Sequence, residues 1–175
     1  MVNYQSELEQ LGWEGLGLKP APRHPTEREF AGSAACADCH TAAWEVFEQT
    51  PHFHTTETLL ALQPARHQDP ECIACHAVGW EPQKYYPFAS GWESHGQTPQ
   101  LFGNGCENCH GPAARHTAVE NGELDVTEEE QNLLRQALHL KIQENEGNQP
   151  GQVMNGTTRA VNNCLGCHDL DNSPD

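Results

Sequence analysis

All eight cysteines of the 175-residue chain fall into four copies of one pattern: Cys36-Ala-Asp-Cys39-His40, Cys72-Ile-Ala-Cys75-His76, Cys106-Glu-Asn-Cys109-His110 and Cys164-Leu-Gly-Cys167-His168. No cysteine is left over. Zinc ribbons, disulfides and thioredoxin-like redox pairs also use Cys-x-x-Cys, but none of them requires a histidine after the second cysteine. With 11 histidines in 175 residues, a chance histidine at all four places has a probability on the order of one in a hundred thousand. Two thiols can add across the vinyl groups of a haem while the adjoining imidazole reaches its iron from the same turn. The pattern therefore points to four covalently attached haem c groups, with His40, His76, His110 and His168 as proximal iron ligands.

Such cofactors bear on an otherwise puzzling composition. Leu, Ile, Val and Phe make up 29 of the 175 residues, a share below the roughly 20% that, with high net charge, signals disorder. Four apolar porphyrin plates would supply the missing buried surface, so the haems are expected to be the core. Twenty-five acidic against nine basic residues give a formal charge of −16, which excludes nucleic acid as a partner and favours a basic redox partner protein. No run approaches the roughly 18 apolar residues of a membrane span, and the amino terminus MVNYQSELEQ lacks the basic and apolar regions of a signal peptide. Covalent haem attachment belongs to the oxidising side of a membrane, so an extracytoplasmic location, periplasm or cell exterior, is expected. The chain is then expected to be a segment of a longer protein. Residues 1–29, closing on Lys19-Pro-Ala-Pro-Arg-His-Pro25, are predicted to be a linker from an upstream domain that is itself a possible redox partner. Residues 30–175 are predicted to form the tetrahaem domain.

The predicted fold class is mainly α with much irregular chain, packed around four haems. Trp44 and Phe47 follow His40 on one helical face until Pro51 stops the helix. A second helix is predicted from Thr127, where Thr127 and Glu130 form a capping box, to near Gly147. The Gly-, Pro- and aromatic-rich stretch Gly79 to Gly105 reads as irregular chain draped over porphyrin faces. Intervals of 36, 34 and 58 residues between the first cysteines of successive sites do not sustain a solenoid period.

Seven further histidines, His24, His52, His54, His67, His95, His116 and His139, compete for at most four sixth coordination positions. A second imidazole gives a low-spin iron suited to electron transfer, and an empty position gives an iron that can bind a small substrate. His139 falls opposite the apolar stripe of its predicted helix and is expected to face solvent. His52 and His54, if their segment is extended, point to the same side and could serve two irons.

Three stretches carry a resemblance. They are Trp44 with Thr50-Pro51-His52, Asp69-Pro-Glu-Cys72 with Cys75-His76-Ala-Val-Gly79, and Gly103-Asn-Gly-Cys106-Glu-Asn-Cys109-His110-Gly-Pro112. In them, residues 30–175 resemble the tetrahaem cytochromes c of the cytochrome c-554 type, the electron acceptors of hydroxylamine oxidoreductase. The resemblance implies a mostly helical, haem-rich fold with closely stacked haem pairs. It also implies that His52 caps the third haem, that His116 caps the fourth, that the second has no protein sixth ligand, and that a helix after the fourth site caps the first. The chain ends seven residues past His168, which leaves His24, a residue beyond this segment or a neighbouring molecule as the first cap, with His24 favoured. His54 and His95, with His67 as a third, are the candidates for closing the second haem. The function expected is electron transfer between redox partners. The alternatives are a small redox enzyme acting on a nitrogen oxide or peroxide at an open second haem, and a self-associating conducting filament with His24 supplied in trans.

Overall fold

The computed structural model describes residues 2–140 and 163–168. The described residues are about half helical, in short pieces joined by irregular backbone, which agrees with the helical part of the expected fold class. In order, the helices are α1 (Val2–Gly15), α2 (Ala34–Ala37), α3 (Thr41–Phe47), α4 (Thr55–Ala61), α5 (Pro70–His76), α6 (Cys106–His110), α7 (Ala114–Glu120) and α8 (Glu128–Leu138). One two-stranded antiparallel ladder, β1 (Trp80–Glu81) on β2 (Tyr86–Pro87), pairs Trp80 with Pro87 and Glu81 with Tyr86.

The segment predicted as a linker is packed structure over its first half. Helix α1 is kinked at Gly12, whose φ is 57°, and it buries Leu8 and Trp13. Gln5 Nε2 donates to Asp69 Oδ2 at 2.9 Å, and Trp13 Nε1 donates to the Glu93 carbonyl at 2.9 Å. A single tryptophan brings as much apolar area as two aliphatic side chains, so counting Leu, Ile, Val and Phe understated what this stretch can bury.

The same tryptophan corrects the expectation that haem alone forms the core. Trp13 meets Trp80 and Trp92 edge-on, at ring-centroid distances of 5.1 and 6.4 Å, and Ile73, Ala77, Val78 and Leu101 close a cluster around them. Trp80 Nε1 donates to the Trp92 carbonyl at 2.9 Å. The aromatic stretch Gly79 to Gly105 thus turns its tryptophans on one another, while Val78 N donates to Leu101 O and Trp92 N to Val78 O. Burying three indoles here is worth several kcal/mol, on the order of 2 to 3 kcal/mol for each large side chain.

Local signals explain the helices around this core. Asp69 caps α5 by accepting from Glu71 N, with Pro70 at the first helical position, where a missing N–H costs nothing. Ile73 and Ala74 face the core, which turns Cys75 and His76 toward the other side of the helix, while Cys72 packs at the edge of the cluster. Thr127 caps α8 by accepting from Glu130 N at 3.2 Å, as its sequence predicts. That helix stops at Leu138, short of Gly147, which lies outside the described residues. Its packing on α7 is fastened by Arg135, which donates to both carboxylate oxygens of Glu120 at 2.8 Å. His139 is exposed, as expected.

Candidate haem-attachment sites

Each Cys-x-x-Cys-His motif is wound into a single turn. His40 N donates to Cys36 O at 2.9 Å and His168 N to Cys164 O at 2.8 Å, and the second and third motifs lie within α5 and α6. Helical spacing sets both cysteines and the histidine on one face, as attachment of one planar cofactor requires. None of the eight cysteines is in a disulfide. Among the described residues, no three His, Cys, Asp or Glu side chains converge as a bare metal ion would need.

Two of the four motif histidines have their Nδ1 atoms on backbone carbonyls. His76 Nδ1 lies 2.8 Å from Thr55 O, and His110 Nδ1 lies 2.8 Å from Leu138 O. Leu138 is the last residue of α8, so its carbonyl belongs to the final turn that has no intrahelical donor. A histidine that donates from Nδ1 carries its other lone pair on Nε2, the arrangement in which imidazole binds a metal. A third observation concerns His52. The resemblance implied a partnership with the third site, yet the structure brings His52 to the fourth, with its Nε2 3.5 Å from His168 Nε2 and the rings crossed at 79°. Two nitrogens facing across that gap could both reach one metal, since an imidazole bonds at about 2 Å. The donor set therefore fits haem c.

The four motifs adjoin in pairs. The Cys36 thiol hydrogen-bonds that of Cys106, which is pulled down to about 6 while Cys36 is pushed up. Cys75 and Cys167 share a like contact, and it pushes the Cys167 thiol up. Asn163 Nδ2 donates to Cys109 O, and Gln83 Nε2 donates to Gly166 O at 2.7 Å. The first site thus adjoins the third, and the fourth lies against both the second and the third.

The Gly103–Pro112 stretch ties these pairs together. Glu107, 2% exposed, accepts from Gly32 N at 2.7 Å, from Ala113 N at 2.7 Å and from Ala31 N at 3.0 and 3.1 Å. Burial pushes its carboxyl up, and these three amides pull in the opposite direction. Asn104 Nδ2 donates to Cys75 O at 3.1 Å, and Asn108 Nδ2 to Ala77 O at 2.9 Å. A Cβ at Gly103 would meet Phe53 O at 2.7 Å, and one at Gly105 would meet Ser33 Oγ at 2.3 Å and Val78 Cγ2 at 2.6 Å. Only glycine allows the backbone to pass there. Sequence reading missed Glu107 as a structural hub. Its signal was an acid placed inside a Cys-x-x-Cys that must turn one face inward.

The remaining candidate ligands separate by their contacts. Pro51–His54 is a 3-10 turn, not extended chain, and its three residues per turn send His52 and His54 in different directions. His54 is exposed, with Nδ1 3.1 Å from Glu57 Oε2. His95 is exposed and tilts against Phe102 at a ring distance of 4.5 Å. His24 accepts Thr26 N–H at its Nδ1 and lies edge-on to Phe88 and Phe30, at 4.8 and 5.7 Å, so its contacts are those of a surface turn. His116, on α7, is mostly buried. Its Nδ1 stands 3.7 Å from Glu120 Oε1, too far for a hydrogen bond, and has no hydrogen-bond partner. Burial pushes its imidazole below the ordinary histidine value, with His40 and Arg135 acting in the same direction against Glu120. The Nδ1 of His67 is likewise buried without a partner. Trp44, Phe47 and Phe53 form an aromatic cluster with ring distances of 5.5 to 6.2 Å beside His40 and His52.

Cys-x-x-Cys-His turns, two of them with the histidine oriented through Nδ1, define a c-type cytochrome, carrying covalently bound haem c. Residues 35–111 match the family described as "Cytochrome c554 and c-prime". Through that region the chain is similar to the cytochrome c-554 type. It is 32% identical over 96 residues to cytochrome c-554 of Nitrosomonas europaea, a match covering 47% of this chain and 38% of that protein. No solved structure matches. Among the described residues no helix is long and apolar enough to cross a membrane.

Proposed function

We propose that this chain is a tetrahaem electron-transfer module, extracytoplasmic, that passes electrons between redox partners. When bound, haem iron supplies one-electron ferric–ferrous chemistry. The polypeptide contributes the attachment thiols Cys36, Cys39, Cys72, Cys75, Cys106, Cys109, Cys164 and Cys167, and the proximal imidazoles His40, His76, His110 and His168. In this reading His52 is the sixth ligand opposite His168, and His116, whose Nδ1 is buried without a partner, is a second distal ligand. The observation that carries the proposal is the adjacency of the motifs, first against third and fourth against second and third, which suits serial electron transfer. The charge of −16 suits docking to a basic redox protein or to a basic face of an upstream domain of a longer chain.

Intact mass and oxidised-state electron paramagnetic resonance test this reading. The expected results are a mass increase of four haems and predominantly low-spin signals. Fewer than four haems overturns it. The rival reading, a redox enzyme working at an uncapped second haem, draws on the engagement of His54 and His95 away from His76. A high-spin signal shifted by cyanide or nitric oxide would favour it.

A further inference from the structure

The loop between the 3-10 turn and α4 holds His76 through contacts that the motif itself does not predict. Thr55 O faces His76 Nδ1 at 2.8 Å and also accepts the Thr58 hydroxyl at 2.5 Å. Fully buried Thr56 donates its hydroxyl to His76 O and accepts Gly103 N–H at 2.7 Å. Thr55 Oγ1 takes Asn104 N–H at 2.8 Å and lies 3.1 Å from His52 O. Three consecutive pieces of chain, carrying His52, His76 and the approach to the third motif, are therefore pinned at Thr55–Thr56.

We propose that Thr56 and Thr58 are positioning residues that set the reduction potential of the second haem in opposite senses, through the carbonyl of Thr55. The proposal rests on the reading above that His76 is an iron ligand. A hydrogen bond from Nδ1 to a carbonyl gives the imidazole anionic character, strengthens its donation to iron and favours the ferric state. Thr58 competes for the same carbonyl, so its hydroxyl withdraws acceptor strength from His76 and raises the potential. Thr56 holds α4 against the backbone of His76 and keeps the Thr55 carbonyl in reach, so its hydroxyl lowers the potential. Thr58 is exposed, which lets it be changed without disturbing the core. Thr56 is buried between two backbone groups, and its isostere valine keeps its volume while removing both hydrogen bonds.

The test is a spectroelectrochemical titration of the holoprotein, with electron paramagnetic resonance resolving the individual haems. Thr58→Ala is expected to move one of the four potentials downward, and Thr56→Val to move that same potential upward. Thr58→Ser and Thr56→Ser, which keep the hydroxyls, restore the original value. Shifts of the same sign, shifts spread equally over all four haems, or no shift in Thr58→Ala overturn the proposal. The two failures are distinguishable. A tryptic peptide containing Cys72 and Cys75 without attached haem sinks the reading of the second site, whereas a fully loaded protein with unmoved potentials sinks only the role of the threonines.

Discussion

Replacing Glu107 by Gln changes one atom in a buried site and tests whether that carboxylate joins the amino-terminal half of the chain to the third motif. Oε1 accepts Ala113 N at 2.7 Å and Oε2 accepts Gly32 N at 2.7 Å, with Ala31 N shared between them. An amide has only one oxygen, so in either orientation its NH2 group faces the Ala113 or the Gly32 N–H, donor against donor. One buried N–H is then left unpaired, at about 1 to 3 kcal/mol, and the surviving bonds lose charge assistance worth about 1 kcal/mol. The expected destabilisation is about 2 to 4 kcal/mol. Guanidinium unfolding of the holoprotein, followed by far-ultraviolet circular dichroism and haem absorbance together, reads it as a lower midpoint with an unchanged slope. A Glu107→Gln midpoint equal to that of the parent protein would refute the reasoning, because it would mean these amides find other acceptors at no cost.

Further outcomes follow from the same geometry. His52→Ala should convert the signal of one haem from low spin to high spin, since that iron loses one of its two imidazoles, and an unaltered resonance spectrum would contradict the pairing with His168. His24→Gln should leave the visible spectrum of the holoprotein unchanged. It should also flatten the pH dependence of stability: burial, and then the charge of Arg28, hold His24 below its ordinary 6.5, so the folded chain resists a proton that the unfolded chain takes up, and stability falls as pH drops through about 6.5. Denaturant midpoints at pH 5 and pH 8 check the sign. Trp13→Ala should cost about 3 to 5 kcal/mol by emptying the space between Trp80 and Trp92, with early proteolysis of α1. A parental midpoint would restore the view of that stretch as a linker.

The chemistry of the sites was legible because attachment is local. Two cysteines and a histidine within five residues meet the same cofactor from one helical turn, so their spacing alone states the chemistry. Capping signals were legible for the same reason, as Asp69 before Pro70 and Thr127 before Glu130 show. The end of α8 was not, because no local residue stops a helix at Leu138, whose carbonyl is taken by His110, 28 residues earlier in the chain. The role of α1 was hidden by counting aliphatic residues when the core is built on tryptophan.

What the amino-acid order determined by itself is therefore which residues can hold haem and the acidic character of the surface around them. Only the tertiary structure decided which histidine faces which. His52 and His168 are 116 residues apart, and the turn after Pro51 sends His52 one way and His54 another. It also decided that Glu107 and Thr56 are structural ties, because each has a partner far along the chain, Ala31 76 positions from Glu107 and Gly103 47 positions from Thr56. Covalent attachment depends on neighbours along the chain, whereas ligand pairing and the hydrogen bonds that tune it depend on neighbours in space, which only packing around the tryptophan cluster brings together.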